Sequence, residues 1–371
     1  MGDGDKRLSR RRLLRGAWVG GSGLLAAYVV GCGDGDGDGA LESASPTATA
    51  EQTDVATPIP EATAPNILRW GELDPSGERP PARHDHSLVT DGRSLFLFGG
   101  RSGDEEMGDL WSFDTEAGTW NELSSVGGPA ARFGHNAVYD QARGRMLVFG
   151  GQAGGAFFND LWGFSPADGK WANITELSPL LPSKRYGAAG ALDPAGRFVV
   201  THGFTDTGRF NDTWSFALEG AAWTEVSPIP PRPVERCLMR GVWDTVANRF
   251  LMFGGQTTDR PFLGDLWALD SNGWTEIETG PRPSPRNLYA IVHTGSLNML
   301  FGGNTEGGPR NDLWWLLPGG VWAEIPVQGE GPSPRFGHDA VWLADSNRMI
   351  VFGGQDNSGE LDDLWELSLV A

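Results

Sequence analysis

RFGHNAVYDQARGRMLVFGGQAGGAFFNDLWGFSPADGKWANI, residues 132–174, contains one structural unit and nearly all the information needed to infer the others. It opens on Arg132 and passes through two short β-rich runs to the paired glycines Gly150 and Gly151. It then reaches Asp160-x-Trp162 and ends on a second tryptophan, Trp171. Alternation of apolar and polar residues, broken by Gly, Asp and Pro, predicts four strands. They run at His135–Tyr139, Arg145–Phe149, Leu161–Phe164 and Trp171–Ile174, termed a to d. The glycine pair gives the backbone freedom where strand b leaves the sheet.

The unit recurs. Asp-x-Trp appears at Asp109, Asp160, Asp212, Asp265, Asp312 and Asp363, at spacings of 51, 52, 53, 47 and 51 residues. The opening arginine recurs at Arg83, Arg132, Arg185, Arg236, Arg286 and Arg335, and the second tryptophan at Trp70, Trp120, Trp171, Trp223, Trp274 and Trp322. Five units carry the paired glycines, at LFLFGG, MLVFGG, LMFGG, MLFGG and MIVFGG; the third reads VVTHG, with His202 in place of the first glycine. A period of about 50 residues marks stacked supersecondary units, and these residues resemble kelch repeats, whose fold is a four-stranded blade. The resemblance covers residues 67 to 371 and implies an all-β, six-bladed β-propeller.

Trp70 sits in a strand d with no a, b or c before it, whereas the last unit stops after strand c. The N-terminal strand is therefore expected to complete the last blade, closing the ring and removing an exposed edge. The expected blades are 83–125, 132–178, 185–228, 236–279, 286–327, and 335–371 joined by 67–74. Most of the 16 Trp are expected to fill the wedges between blades. Each recurrent Arg is expected to form a charge-assisted, bidentate bond with an Asp before strand c.

Ahead of the repeats, Ser9-Arg10-Arg11-Arg12-Leu13-Leu14 resembles a twin-arginine export motif, and Val29-Val30-Gly31-Cys32 resembles a bacterial lipobox. The apolar run from Gly16 to Gly31 is shorter than the roughly 20 residues a spanning helix needs. Residues 1–31 are thus read as a lipoprotein signal peptide that leaves Cys32 diacylated. Residues 32–66, GDGDGDG followed by an Ala/Thr/Pro tract, are read as a disordered tether. The Asp/Gly alternation lacks the glutamate and flanking helices of an EF-hand. The expected location is the cell envelope, outside the cytoplasm, with membrane contact through the lipid anchor only.

The formal charge is −19, and removal of residues 1–31 leaves 23 basic against 46 acidic residues. So acidic a body repels phosphate backbones, which excludes sequence-independent nucleic-acid binding. Only Cys32 and Cys237 exist, in segments with different fates, so no internal disulfide is expected. No motif for nucleophilic hydrolysis, nucleotide binding or zinc proteolysis is present.

The d–a and b–c loops share one face, the default binding surface. Its b–c loops offer Phe157, Phe158, Phe204, Phe210 and Phe262 with Arg209 and Arg260 on one side, and Asp104, Glu105, Glu106, Asp356 and Glu360 on the other. Such a rim suits a protein or glycan partner of a monomeric binding module, with no cofactor required. Three residues after the arginines, His86, His135, Tyr289 and His338 fall on four consecutive blades. Converging on the axis, they would ligate copper or another transition metal. Bonded instead to neighbouring blades, they are structural. The first arrangement resembles galactose oxidase, a kelch propeller with an axial metal, but Cys237, the sole remaining thiol, lies two residues before Met239 and departs from that enzyme's Cys–Tyr pair. A sugar oxidase, or a mutarotase resembling the kelch-type sialic acid epimerases, is the alternative to a binding module.

Overall fold

The computed structural model describes residues 68–369; the export motif, Cys32 and the tether lie outside them. It is all-β, with two 3-10 turns and six four-stranded antiparallel sheets. In the second blade the strands run Asn136–Asp140, Arg145–Phe149, Leu161–Ser165 and Lys170–Asn173, within a residue of expectation at each end. Innermost strand a of every blade touches strand a of both neighbours, so the blades form a closed ring.

Closure is made by the strand Leu68–Leu73, which pairs antiparallel with Glu360–Leu369, from Leu68 against Leu369 to Leu73 against Leu364. The sixth sheet thereby reaches the same width as the other five. In this pairing Leu68 and Leu369 occupy the place of the c–d turn, on the face opposite the b–c and d–a loops.

The wedges are filled by a repeated aromatic pair, strand-d Trp of one blade against the last Phe of strand b in the blade before it. Ring centroids are 5.4 Å apart for Trp120–Phe352, 5.1 Å for Trp171–Phe98 and 4.9 Å for Trp223–Phe149. Trp322–Phe253 and Trp70–Phe301 follow at 5.3 and 5.0 Å. Buried, tilted aromatic pairs of this kind add about 0.5–1.5 kcal/mol each beyond area burial. The third blade lacks that Phe, having Thr201 in its place. There His202, in left-handed conformation at φ 61°, turns its imidazole edge-on to Trp274 at 5.9 Å. The departure from Gly-Gly thus supplies an aromatic ring one residue later.

The glycine pair has a steric cause as well as a conformational one. Gly99 (φ +65°) would place a Cβ 2.6 Å from the Arg132 carbonyl oxygen and 3.0 Å from the His135 ring. Gly100 would press on His86 Cβ at 2.9 Å.

Candidate interaction site at the loop face

The b–c loops are positioned by the arginines. Arg132 donates from Nη1 to Asp160 Oδ1 at 2.6 Å and from Nη2 to Oδ2 at 2.9 Å. It also donates to the carbonyls of Gly150 at 2.9 Å and Ala130 at 3.0 Å. Arg83, Arg185, Arg236, Arg286 and Arg335 grip Asp109, Asp212, Asp265, Asp312 and Asp363 in the same bidentate fashion. Each of these Asp also accepts from the indole N–H of the Trp two residues on. Burial pushes the carboxyls of Asp109, Asp212, Asp265 and Asp312 up, but the bonds and charge of their Arg outweigh it and hold them below the ordinary range. The guanidiniums are buried with all three nitrogens of each bonded, which ties the root of each b–c loop to the start of strand a.

Two residues beyond each Arg the chain enters the left-handed region, at Asp85, Gly134, Gly187, Leu238, Leu288 and Gly337, with φ between 52° and 66°. Here each N–H donates to the carbonyl of the corresponding residue in the blade before. The bonds run Asp85 to Gly337 (2.7 Å), Gly134 to Asp85 (2.8 Å), Gly187 to Gly134 (2.9 Å), Leu238 to Gly187 (2.8 Å), Leu288 to Leu238 (2.9 Å) and Gly337 to Leu288 (2.8 Å). Six backbone bonds therefore form a closed circle about the axis. Side chains lie across the glycines: Tyr186 over Gly134, Leu238 over Gly187, and Asp85 over Gly337.

This ring is the floor of a funnel. Its wall is built from the residue after each Arg bridged to the residue after each glycine pair: His84 with Arg101, Phe133 with Gln152, Tyr186 with Phe204, Cys237 with Gln256, Asn287 with Asn304, and Phe336 with Gln355. The rim hairpins are linked to one another. Glu360 accepts from Gly103 N–H at 3.2 Å, Glu106 from Gly154 N–H at 3.0 Å, and Arg209 donates to Thr258 Oγ1 at 2.9 Å. A rim so interlocked is organised before any partner arrives, which lowers the ordering cost of binding.

Of the predicted rim aromatics, Phe157 and Phe204 meet edge-to-face at 5.9 Å beside the funnel, with Arg209 over the Phe204 ring at 5.3 Å. Phe158 and Phe210 do not belong to a free binding surface. Their rings cover the buried Arg132 and Arg185 guanidiniums at 4.2 and 4.8 Å, so they serve the loop roots. Phe262 is half-buried and Arg260 exposed.

The metal-ligand arrangement of His86, His135, Tyr289 and His338 is not formed. Strand a borders the axis with its edge, and its side chains enter the seams on either side. Each of the four packs on the strand-b Phe of the blade before it: His86 on Phe352, His135 on Phe98, Tyr289 on Phe253 and His338 on Phe301. His135 Nε2 bonds Ser87 Oγ at 2.8 Å, and His338 Nε2 the Phe301 carbonyl at 3.2 Å. The Tyr289 hydroxyl donates to the Phe253 carbonyl, with the Arg240 carbonyl oxygen 3.2 Å away. Desolvation, then the adjoining guanidiniums, lowers the pKa of His86 and His135 well below the ordinary value and that of His338 to about 3. Burial likewise pushes the Tyr289 phenol up. Among the described residues no three His, Cys, Asp or Glu are grouped to hold a metal ion. Cys237 is buried and free, its thiol pushed up by burial.

What does occupy the axis beneath the floor is Arg240, which the sequence reading passed over. From the fourth blade it crosses to the His86 carbonyl of the first at 3.4 Å and lies 3.9 Å from the Asp339 carboxylate of the sixth. The only sequence signal was its place one residue after Met239, where the other units have Ser87, Asn136, Ala189, Ala290 and Asp339.

A closed ring of four-stranded blades, a sealed axis and a preorganised funnel on the loop face define a kelch-type propeller suited to binding a protein partner. The chain belongs to the KLHDC2/KLHL20/DRC7 kelch-repeat family, whose model matches residues 62–244 and 230–371. It is similar to Kelch domain-containing protein 10 of Rattus norvegicus, 26% identical over 78% of this chain and 77% of that protein. It also resembles the Leucine-zipper-like transcriptional regulator 1 homolog of Drosophila melanogaster, 28% identical over 76% of this chain. Host cell factor 2 of Homo sapiens is likewise 28% identical, over 63% of this chain. The chain spans only 30% and 32% of those last two proteins.

Proposed function

We propose that the chain is an extracytoplasmic, lipid-anchored interaction module that holds a protein or glycan partner in the funnel of its loop face. The observation that carries the binding site is the build of the loop face: a ring of backbone bonds over the axis and rim hairpins bonded to one another. Export and anchoring rest on Arg10-Arg11 and on Val29-Val30-Gly31-Cys32.

Two measurements test the reading. Replacing Cys32→Ala is expected to move the protein from the membrane to the soluble fraction; retention in the membrane would refute the anchor. A photo-crosslinking side chain at Gln152, in the funnel wall, is expected to trap a partner, and one at Val246, an exposed position on the turn face, is not. Equal trapping from both positions would remove the funnel from the account. The sugar-oxidase alternative loses its geometric support, because its ligand set is turned into the blade seams.

A further inference from the structure

The propeller buries its large apolar side chains with few exceptions, and most of the exceptions share one kind of position. Six residues after the strand-d tryptophan stand Val126, Leu177 and Ile229 in the first three blades, but Gly280, Gln328 and Ser76 in the others. The three aliphatics are 88%, 59% and 86% exposed. Leu180, Val226 and Val234, in the same d–a connections, are exposed as well. Single exposed aliphatics are ordinary on a protein surface; a group gathered on one side of a ring calls for a cause.

Packing sets four of these residues along the outer edge of the third blade. The Trp223 N–H donates to Ser178 Oγ at 2.9 Å, which lays the connection carrying Leu177 and Leu180 beside strand d of that blade, Ala222–Glu225. Leu181 turns inward onto the cluster of Phe216 and Trp223, and its neighbour Leu180 stays outside. Val226 continues the same strand, its N–H on the Thr213 carbonyl at 2.8 Å. Ile229 follows where Pro228 meets the fourth blade, so close that a Cβ on Gly273 would lie 3.3 Å from Pro228 Cβ. Residues 177–183 and 226–231 hold no charged side chain, in a body with 46 acidic and 23 basic residues. Proline fixes φ at Pro179, Pro182, Pro228 and Pro230, so the aliphatic tips are presented with little chain entropy left to lose.

We infer that this edge dips into the interface of a lipid bilayer, with its aliphatic tips among the acyl chains. The chemistry selects lipid over a protein face. Protein interfaces are anchored by Trp, Tyr and Arg, with Leu and Val under-represented, whereas the tips here are aliphatic throughout. The acidic body is repelled by anionic surfaces, and this uncharged stretch is a side on which it can approach zwitterionic headgroups. The proposed anchor at Cys32 would hold the propeller beside a bilayer at about millimolar effective concentration, where a patch of low affinity is occupied. The inference deepens that anchoring and rests on it for local concentration alone. Diluted in a cell lysate so low an affinity does not hold the protein down, and Cys32→Ala still releases it.

The test uses the mature chain from residue 32 with Cys32→Ala, which carries no acyl group, sedimented with phosphatidylcholine vesicles at millimolar lipid. It is expected to come down with the vesicles. Adding Leu177→Glu and Ile229→Glu should lower the partition coefficient at least about tenfold, as loss of two buried aliphatics does, and adding Val246→Glu on the turn face should change it less than about twofold. A thermal midpoint confirms that each variant is folded. Equal partition of all three chains, or no sedimentation of any, would overturn the inference. So would binding that strengthens as phosphatidylglycerol replaces phosphatidylcholine, which is headgroup attraction and not apolar insertion. A mass by sedimentation velocity, without vesicles, that halves on adding Leu177→Glu and Ile229→Glu would give the edge to a second copy instead. A chain that ignores vesicles while Cys32→Ala still leaves the cell membrane would sink this inference and spare the anchor. Retention on the cell membrane of the chain carrying Cys32→Ala, Leu177→Glu and Ile229→Glu would refute the anchor.

Discussion

Acid should unfold this propeller well before its carboxylates protonate. His86, His135, His202 and His338 are buried, and desolvation together with nearby guanidiniums depresses every one of them, His202 and His338 to about 3 from an ordinary 6.5. A histidine depressed in the folded state must be neutral there, so its stability contribution is intact above pH 6.5 and drains away as pH falls towards the folded value. At pH 5.0, 1.5 units below 6.5, His202 and His338 each cost about 2 kcal/mol, at roughly 1.4 kcal/mol per unit. Together that is about 4 kcal/mol before His86 and His135 are counted, against a typical total of 5–15 kcal/mol. Asp109, Asp212, Asp265 and Asp312 are depressed as well, and their contribution persists until pH falls below about 4. Asp339, raised by burial, works in the opposite sense but is one group. The window from pH 6.5 to 5.0 therefore isolates the imidazoles. Urea denaturation midpoints at pH 7.5, 6.5, 5.8 and 5.0 are expected to stay level and then drop steeply, and His338→Gln should make the fall shallower. A midpoint unchanged from pH 7.5 to 5.0 would refute the reasoning.

Three further outcomes follow from the packing. Arg132→Met, which strands the Asp160 carboxylate, should cost about 3–5 kcal/mol by urea denaturation, whereas removal of an exposed pair such as Arg93–Glu116 should cost under about 1 kcal/mol. Gly99→Ala meets both a left-handed backbone and the Arg132 carbonyl, while Gly118→Ala meets open space at nearly the same φ. The second should cost about 1 kcal/mol and the first clearly more, read from thermal midpoints. Starting the chain at Asp74 removes the closing strand and exposes Glu360–Leu369, so size-exclusion chromatography should show association or aggregation in place of a single monomeric species.

The fold was legible because its cause is written six times. Trp70 without a preceding a, b and c, and Trp365 without a following d, could be reconciled only by closing the ring. The site was less legible because parity along strand a does not tell which way a blade faces. Counting three residues from each Arg assigned His86, His135, Tyr289 and His338 to the axis, but blades stand radially, and both faces of strand a look into seams. The floor had a signal that went unread: Arg132-Phe133-Gly134, Arg185-Tyr186-Gly187 and Arg335-Phe336-Gly337 place glycine two residues after arginine, where a left-handed backbone is required. Asp85, Leu238 and Leu288 hide that pattern in the other units. Arg240 departs from its counterparts in the other units, but nothing near it in sequence marks its partners, which belong to the first and sixth blades.

The circle of backbone bonds at the funnel base has an electrostatic consequence. Peptide dipoles aligned along a helix leave partial charge at two termini. Here each of the six points to the next around a loop that has no beginning, so their sum vanishes and nothing accumulates at either side. The potential near the axis is thus written by side chains alone, and two of opposite sign stand there: Asp85 in the circle and Arg240 beneath it.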